Sequence, residues 1–309
     1  MNKKTKISLV LGSGAARGLA HIGVIHCLED HNYEVQYISG SSMGALVGGI
    51  YAAGELDVYV DWVKELKRRN IIRLLDISFS KKSLFKGERI IEVLNEIIKD
   101  RTIEDLPMGY TAVATDILEQ KEIWITSGSL FEAIRASIAV PMVFSPVQLG
   151  DRVLVDGGII NPLPIAPTLN DDSELTIAVA LNGMPEIFEA EREAEREAVL
   201  KKNNDQESGK SKYQIGIERF IEGLMPKGVA DKNQQDLGLF NLVTQSMDTM
   251  QTSIARFKLA ANRPDIVVEI PRNICSWFEF DRAEELIEFG YTRAEDVLKQ
   301  YEKILERRK

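Results

Sequence analysis

The chain has 309 residues, a formal net charge of -9, 44% hydrophobic and 28% charged residues, enough to bury a sizeable core as one large domain or two small ones. The acidic balance argues against a general nucleic-acid binder. Cys27 and Cys275, far apart and without a CxxC partner, suit reduced thiols of a cytosolic protein better than a disulfide framework.

In chain order, residues 7–11 are a short apolar run behind Lys3, Lys4 and Lys6. The run is too short for a secretory h-region and Arg17 follows closely, so it reads as a buried first strand. It ends at Gly12-Ser13-Gly14-Ala15-Ala16-Arg17-Gly18, and residues 19–28 have helical character. A dinucleotide-binding loop would need glycine where Arg17 stands, and a P-loop would need Gly-Lys-Ser/Thr. A loop of backbone N–H groups at a helix start is left, which is an anion or oxyanion site.

Residues 37–54 carry Gly40-Ser41-Ser42-Met43-Gly44, a G-x-S-x-G between an apolar strand and a helix of small residues. That spacing suits a serine on a sharp strand-to-helix turn, where Gly40 and Gly44 let the chain fold past it. The plainer reading is a serine N-cap, and the motif alone does not exclude it. Residues 58–86 are basic and partly aromatic; a solvated helix face is favoured there over contact with anionic lipid headgroups. Residues 88–98 read as an amphipathic helix, and residues 110–114 and 122–126 as a hairpin with Asp116 in its turn.

A helix over 130–139 precedes Pro141, and a strand over 152–155 runs into Asp156-Gly157-Gly158, an acid at a strand end. Another buried strand covers 174–181. Strands alternating with helices predict an α/β fold with a largely parallel central sheet flanked by helices, and sites at the carboxyl ends of its strands. Residues 186–210 break this pattern, with 13 of 25 charged, and the region 186–237 is expected to be an exposed insertion. Within it Ile217, Phe220, Ile221, Leu224 and Met225 share one helical face, expected to pack on its own core or on a second subunit, with a lid or membrane-surface helix as the alternative. Residues 239–309 complete a single domain as a mostly helical part: a helix over 240–259, a strand over 266–270, and two terminal helices over 281–290 and 292–307.

The three histidines, His21, His26 and His31, all precede Ser42. A Ser, acid, His order is therefore unavailable, and neither a metal site nor a cofactor is expected. A serine nucleophile here needs another base, and Asp156 is the candidate; for His21 a structural role is favoured.

At this point the chain resembles the patatin-like phospholipases, nearest the small bacterial RssA-type branch. The glycine loop with Arg17-Gly18, the turn at Ser42 and Asp156-Gly157-Gly158 stand in that family's order, with shared stretches of the kind LGSGAARG, IRAS and LVDGG-x-x-NP. The likeness covers residues 5–182 strongly and the last 70 weakly. It implies a calcium-independent serine esterase or (lyso)phospholipase with a Ser42–Asp156 dyad and a nucleophile elbow. It also implies an oxyanion hole from Gly12, Ser13 and Gly14, joined by Met43, and a fatty-acyl ester or lipid substrate. Gly18, Gly40, Gly44, Gly157 and Gly158 support the motifs, and Arg17 either positions the loop or favours an anionic substrate. The expected location is cytoplasmic, with peripheral contact at the inner membrane surface and a homo-oligomer both open. The rivals are a transacylase, in which an alcohol replaces water, and a regulatory or scaffold protein acting through a partner.

Overall fold

The computed structural model describes residues 4–67, 88–99, 101–187 and 234–308. The chain divides into two units, residues 1–185 with 247–309, and residues 186–246. The site lies in the first. Most of the charged insertion, the apolar face from Ile217 to Met225, and most of the basic stretch 58–86 fall outside the described residues.

Eight strands form one sheet: β1 (Thr5–Leu11), β2 (Tyr33–Ser41), β3 (Gly109–Asp116), β4 (Lys121–Ile125), β5 (Val147–Leu149), β6 (Arg152–Asp156), β7 (Leu175–Gly183) and β8 (Ile266–Pro271), in the order β5-β6-β3-β2-β1-β7-β8 with β4 on β3. β3, β2, β1, β7 and β8 run parallel. Their near-continuous burial follows from helices covering both faces. On one face Leu11 and Ile38 meet Gly48 of α2 (Met43–Ala52). On the other, Val10, Ala178 and Ala180 pack with Ala255 of α6 (Gln234–Ala261).

The remaining helices are α1 (Ala20–Asp30), α3 (Leu56–Lys64), α4 (Glu88–Ile98), α5 (Leu130–Ser137) and α7 (Ala283–Arg308). The two terminal helices expected from the sequence are one, α7. Gly290 does not end it; a Cβ there would stand 2.1 Å from the Ala20 carbonyl, and one at Gly23 would stand 1.8 Å from the Ile287 carbonyl. The glycine lets two helix backbones touch, which local propensity cannot reveal. Asp116 is the turn residue of the β3–β4 hairpin, accepting hydrogen bonds from the Leu118 and Glu119 N–H groups. Cys27 and Cys275 are free thiols.

One feature of the sheet places the chemistry. β2 ends with Ser41 opposite Val113, and on the same edge of β3 the antiparallel β6 brings Asp156 opposite Ala114, the next position. The edge is shared because β4, paired with residues 112–116 of β3, occupies its other side where the two stretches meet. Two strands from distant parts of the chain thus meet end to end, one delivering a serine and the other an acid.

Candidate active site

Ser42 sits between β2 and α2 with φ 55° and ψ -121°, a conformation that an L-residue keeps only when its surroundings impose it. The surroundings are glycines and backbone. A Cβ at Gly40 would lie 2.5 Å from Ala45 N, and one at Gly44 would lie 2.0 Å from the Leu11 carbonyl. The Ser42 side chain makes no cap hydrogen bond to α2, so the N-cap reading of the motif gives way to a hydroxyl directed elsewhere.

That hydroxyl donates to Asp156 Oδ2 at 2.5 Å, while Asp156 Oδ1 accepts the Gly158 N–H at 2.7 Å. Asp156 is only 1% exposed. Burial pushes its carboxyl up to about 7, against the two hydrogen bonds that favour the charged form. Gly157 follows because a Cβ there would strike the Val113 carbonyl at 2.0 Å, and Gly158 because one would meet Ser13 Oγ at 2.4 Å.

The glycine loop starts beside this turn, since Leu11 pairs with Gly40. Its first two N–H groups are already engaged: Gly12 donates to the Val179 carbonyl at 3.0 Å and Ser13 to the Pro162 carbonyl at 2.8 Å. They anchor the loop to β7 and to the segment after Asp156. Gly14 and Met43, at the start of α2, make no such outward backbone bonds, and Ala15 takes φ 49° between Gly14 and the following turn. Gly14 also lies against Leu181, whose Cδ1 would be 2.6 Å from a Cβ, and Gly18 against Met43, whose Cβ would be 2.4 Å away.

Arg17 holds the loop. It is 3% exposed, its Nε donates to the Gly14 carbonyl at 3.1 Å, and its backbone N–H donates to the same oxygen. Nη1 donates to the Arg272 carbonyl at 2.9 Å and Nη2 to Asp248 Oδ1 at 2.7 Å. Of the two roles open in the sequence, loop positioning is the one these bonds describe.

A family model described as patatin-like phospholipase matches residues 9–169, and an uncharacterized NTE family protein of Mycobacterium tuberculosis is 37% identical over 96% of this chain and 92% of its own length. The chain belongs to the patatin-like phospholipase family. Patatin-like phospholipase domain-containing protein 7 of Rattus norvegicus is 30% identical over 58% of this chain and 14% of its own. Among solved structures, VipD from Legionella pneumophila aligns over 97% of this chain and 67% of its own, at 13% identity and a TM-score of 0.44. Membership in the patatin-like phospholipases supports lipid hydrolase activity and a lipid substrate. Among the described residues no helix is long and apolar enough to cross a membrane.

Beside Ser42 the protein has a cavity of about 110 Å³ whose lining side chains are apolar or aromatic apart from Ser42 itself. Tyr59 and Trp62 come from α3, Leu94 from α4, Phe144 from the segment after α5, and Trp277 and Phe280 from the segment before α7. Sequence reasoning assigned none of these to the site, since residues scattered over four segments carry no shared spacing.

Two other residues support the site, of which Ser137 went unassigned. Ser137 Oγ accepts the Ser42 N–H at 2.9 Å and donates to the Val113 carbonyl at 2.6 Å, tying the elbow to β3. Its signal was present in the IRAS stretch, which ends on it. His21, read as structural, donates from Nε2 to the Gly12 carbonyl at 2.8 Å. Burial holds its pKa down to about 4, so a neutral imidazole braces the loop.

Proposed function

We propose that the protein is a calcium-independent serine acyl hydrolase that cleaves fatty-acyl esters through an acyl-Ser42 intermediate. The observation that carries this reading is the 2.5 Å hydrogen bond from Ser42 Oγ to the buried Asp156 carboxylate, made where Ser42 faces an apolar cavity.

Asp156 accepts the Ser42 proton as Oγ attacks the ester carbonyl. A carboxyl pushed up to about 7 is a stronger base than an exposed aspartate yet is substantially ionised near neutral pH, which is the balance general base catalysis needs. The carbonyl oxygen becomes an oxyanion that accepts hydrogen bonds from the N–H groups of Gly14 and Met43, the two loop and helix positions whose donors are not committed to other backbone segments as those of Gly12 and Ser13 are. One such donor is worth about 2.7–4 kcal/mol in the transition state. The positive end of α2, which begins at Met43, adds to the same field.

The intermediate collapses with the Asp156 proton passing to the leaving alcohol. Water then attacks acyl-Ser42, giving its proton to Asp156, which passes it to Ser42 Oγ as the fatty acid leaves, so that Ser42 and the Asp156 carboxylate are regenerated. The acyl chain occupies the cavity, where aliphatic and aromatic walls match an alkyl chain and offer nothing to a polar one. Each proton and charge in the cycle has a partner in this chain, so no step is assigned to a metal ion.

The test is hydrolysis of p-nitrophenyl acyl esters, with mass-spectrometric trapping of acyl-Ser42. Wild type should turn over and form the adduct, while Ser42→Ala should do neither, losing at least ~10³-fold in rate. Unchanged hydrolysis by folded Ser42→Ala would remove Ser42 as nucleophile.

A further inference from the structure

A single carboxylate on α6 touches both sides of this site. Asp248 Oδ1 accepts from Arg17 Nη2 at 2.7 Å, and its Oδ2 accepts from Trp277 Nε1 at 2.8 Å. The first contact leads to the glycine loop, because the same guanidinium holds the Gly14 carbonyl. The second leads to the cavity wall, of which Trp277 is part. The two arms close on each other, since the Ala16 N–H donates to the Trp277 carbonyl at 3.2 Å.

We propose that Asp248 is a positioning residue of the acyl-transfer site, its carboxylate holding the oxyanion loop through Arg17 and the aromatic wall of the acyl cavity through Trp277 in one fixed relation. This rests on the hydrolase reading above and extends it to a residue outside the three motifs. The chemistry requires a carboxylate. Its two oxygens face two donors, and an amide would accept from one and turn its own N–H toward the other. The guanidinium it pairs with is almost wholly buried, so the charge on Asp248 also offsets a cation that water does not reach. Because an oxyanion donor acts only when aimed at the position the oxygen will occupy, and because the alkyl chain fixes where the ester carbonyl lies, wall and loop must be held in register. Asp248 connects the two directly.

One turn further along, the same helix reaches the acid side of the site. A Cβ at Gly158 would stand 2.8 Å from Gln251 Nε2, and Gln251 is 4% exposed. Helix α6 therefore meets both the loop support and the turn that follows Asp156.

The experiment compares full-length wild type, Asp248→Asn and Trp277→Phe by hydrolysis of p-nitrophenyl esters of increasing chain length and by amide hydrogen exchange of residues 12–19 and 276–280. In Asp248→Asn both segments should exchange faster, kcat should fall by roughly tenfold to a hundredfold, and the preference among chain lengths should flatten. Trp277→Phe, which loses the indole donor and one ring of the cavity wall while keeping an aromatic side chain, should move the chain-length preference and raise exchange in both segments, with a smaller fall in kcat. Asp248→Asn with wild-type exchange in the loop, or with kcat and chain-length preference unchanged, overturns the proposal. Should Asp248→Asn fail to accumulate as folded protein, Trp277→Phe decides, and faster exchange confined to 276–280 overturns it. A wild type that hydrolyses no ester overturns the hydrolase reading, and the exchange data then decide the coupling alone.

Discussion

Two turns leave neighbouring parallel strands at the carboxyl edge of the sheet, and they are held by different means. The turn after β2 carries Ser42 at φ 55°, and the loop after β1 carries Ala15 at φ 49°. The first is fixed by close packing on backbone: Gly40 and Gly44 press against backbone atoms, and one hydroxyl, that of Ser137, takes the Ser42 N–H. The second is held by side-chain hydrogen bonds to its carbonyl oxygens, from His21 of α1 and from Arg17, with Asp248 and the Arg272 carbonyl behind Arg17. A nucleophile must be exposed to substrate on one side, so its supports crowd in beneath as glycine and backbone. The glycine loop is anchored by its Gly12 and Ser13 N–H groups, and side chains hold it further by the Gly12 and Gly14 carbonyl oxygens.

The largest expected effect within this contrast falls on the acid. Asp156→Asn should lower the esterase rate by ~10²–10⁴-fold, while its amide still accepts from the Gly158 N–H. Wild-type activity should rise with pH through about 7, following the buried carboxyl; a rate already flat from pH 5 upward would show that Asp156 is not the base.

The same shift makes a stability statement of definite sign. The folded-state value lies above the unfolded value of about 3.9, so the folded protein binds the extra proton, and wild type loses stability as pH rises from about 4 to about 7. Asp156→Asn should therefore melt above wild type at pH 8, with the gap closing toward pH 4. Thermal melts at the two pH values check this.

Next in size is Gly44→Ala. Its methyl group would meet the Leu11 and Gly12 carbonyls, at 2.0 and 2.9 Å, neither of which can move without disturbing β1. A loss of roughly 3 kcal/mol, at the upper end of overpacking costs, is expected in denaturant unfolding. A neutral result would mean that the elbow is not braced by backbone contact.

Ser137→Ala should cost about 1–3 kcal/mol, since it strands the buried Ser42 N–H, and kcat should fall more than KM rises. The smallest effect belongs to the loop: Ala15→Gly relieves a left-handed alanine, and a gain within about 1 kcal/mol is expected. Together these two variants weigh one turn against the other, and equal effects would erase the distinction between them.

The elements around Ser42 and Asp156 were legible because each rests on local spacing. The strand over 7–11 lies within β1, the helix over 88–98 is α4, and the hairpin around Asp116 is β3–β4. Periodicity of 2 or 3.6 is a property of consecutive residues, and so it survives in the sequence. Gly290 misled for the complementary reason. A glycine that permits close helix packing and one that stops a helix look identical in one dimension, and only Ala20 on α1, far away in the chain, tells them apart.

By itself the sequence marked Ser42 on a glycine-braced turn and Asp156 at a strand end, since each is a short motif whose spacing is its geometry. Tertiary structure alone decided that Asp156 arrives one register position beyond Ser41 on the edge of β3. It also decided which loop N–H groups are spent on neighbouring backbone, and that Arg17, Asp248 and Trp277 form one support. Those facts depend on contacts between segments far apart in the chain, where burial and hydrogen-bond satisfaction, not spacing, select the partner.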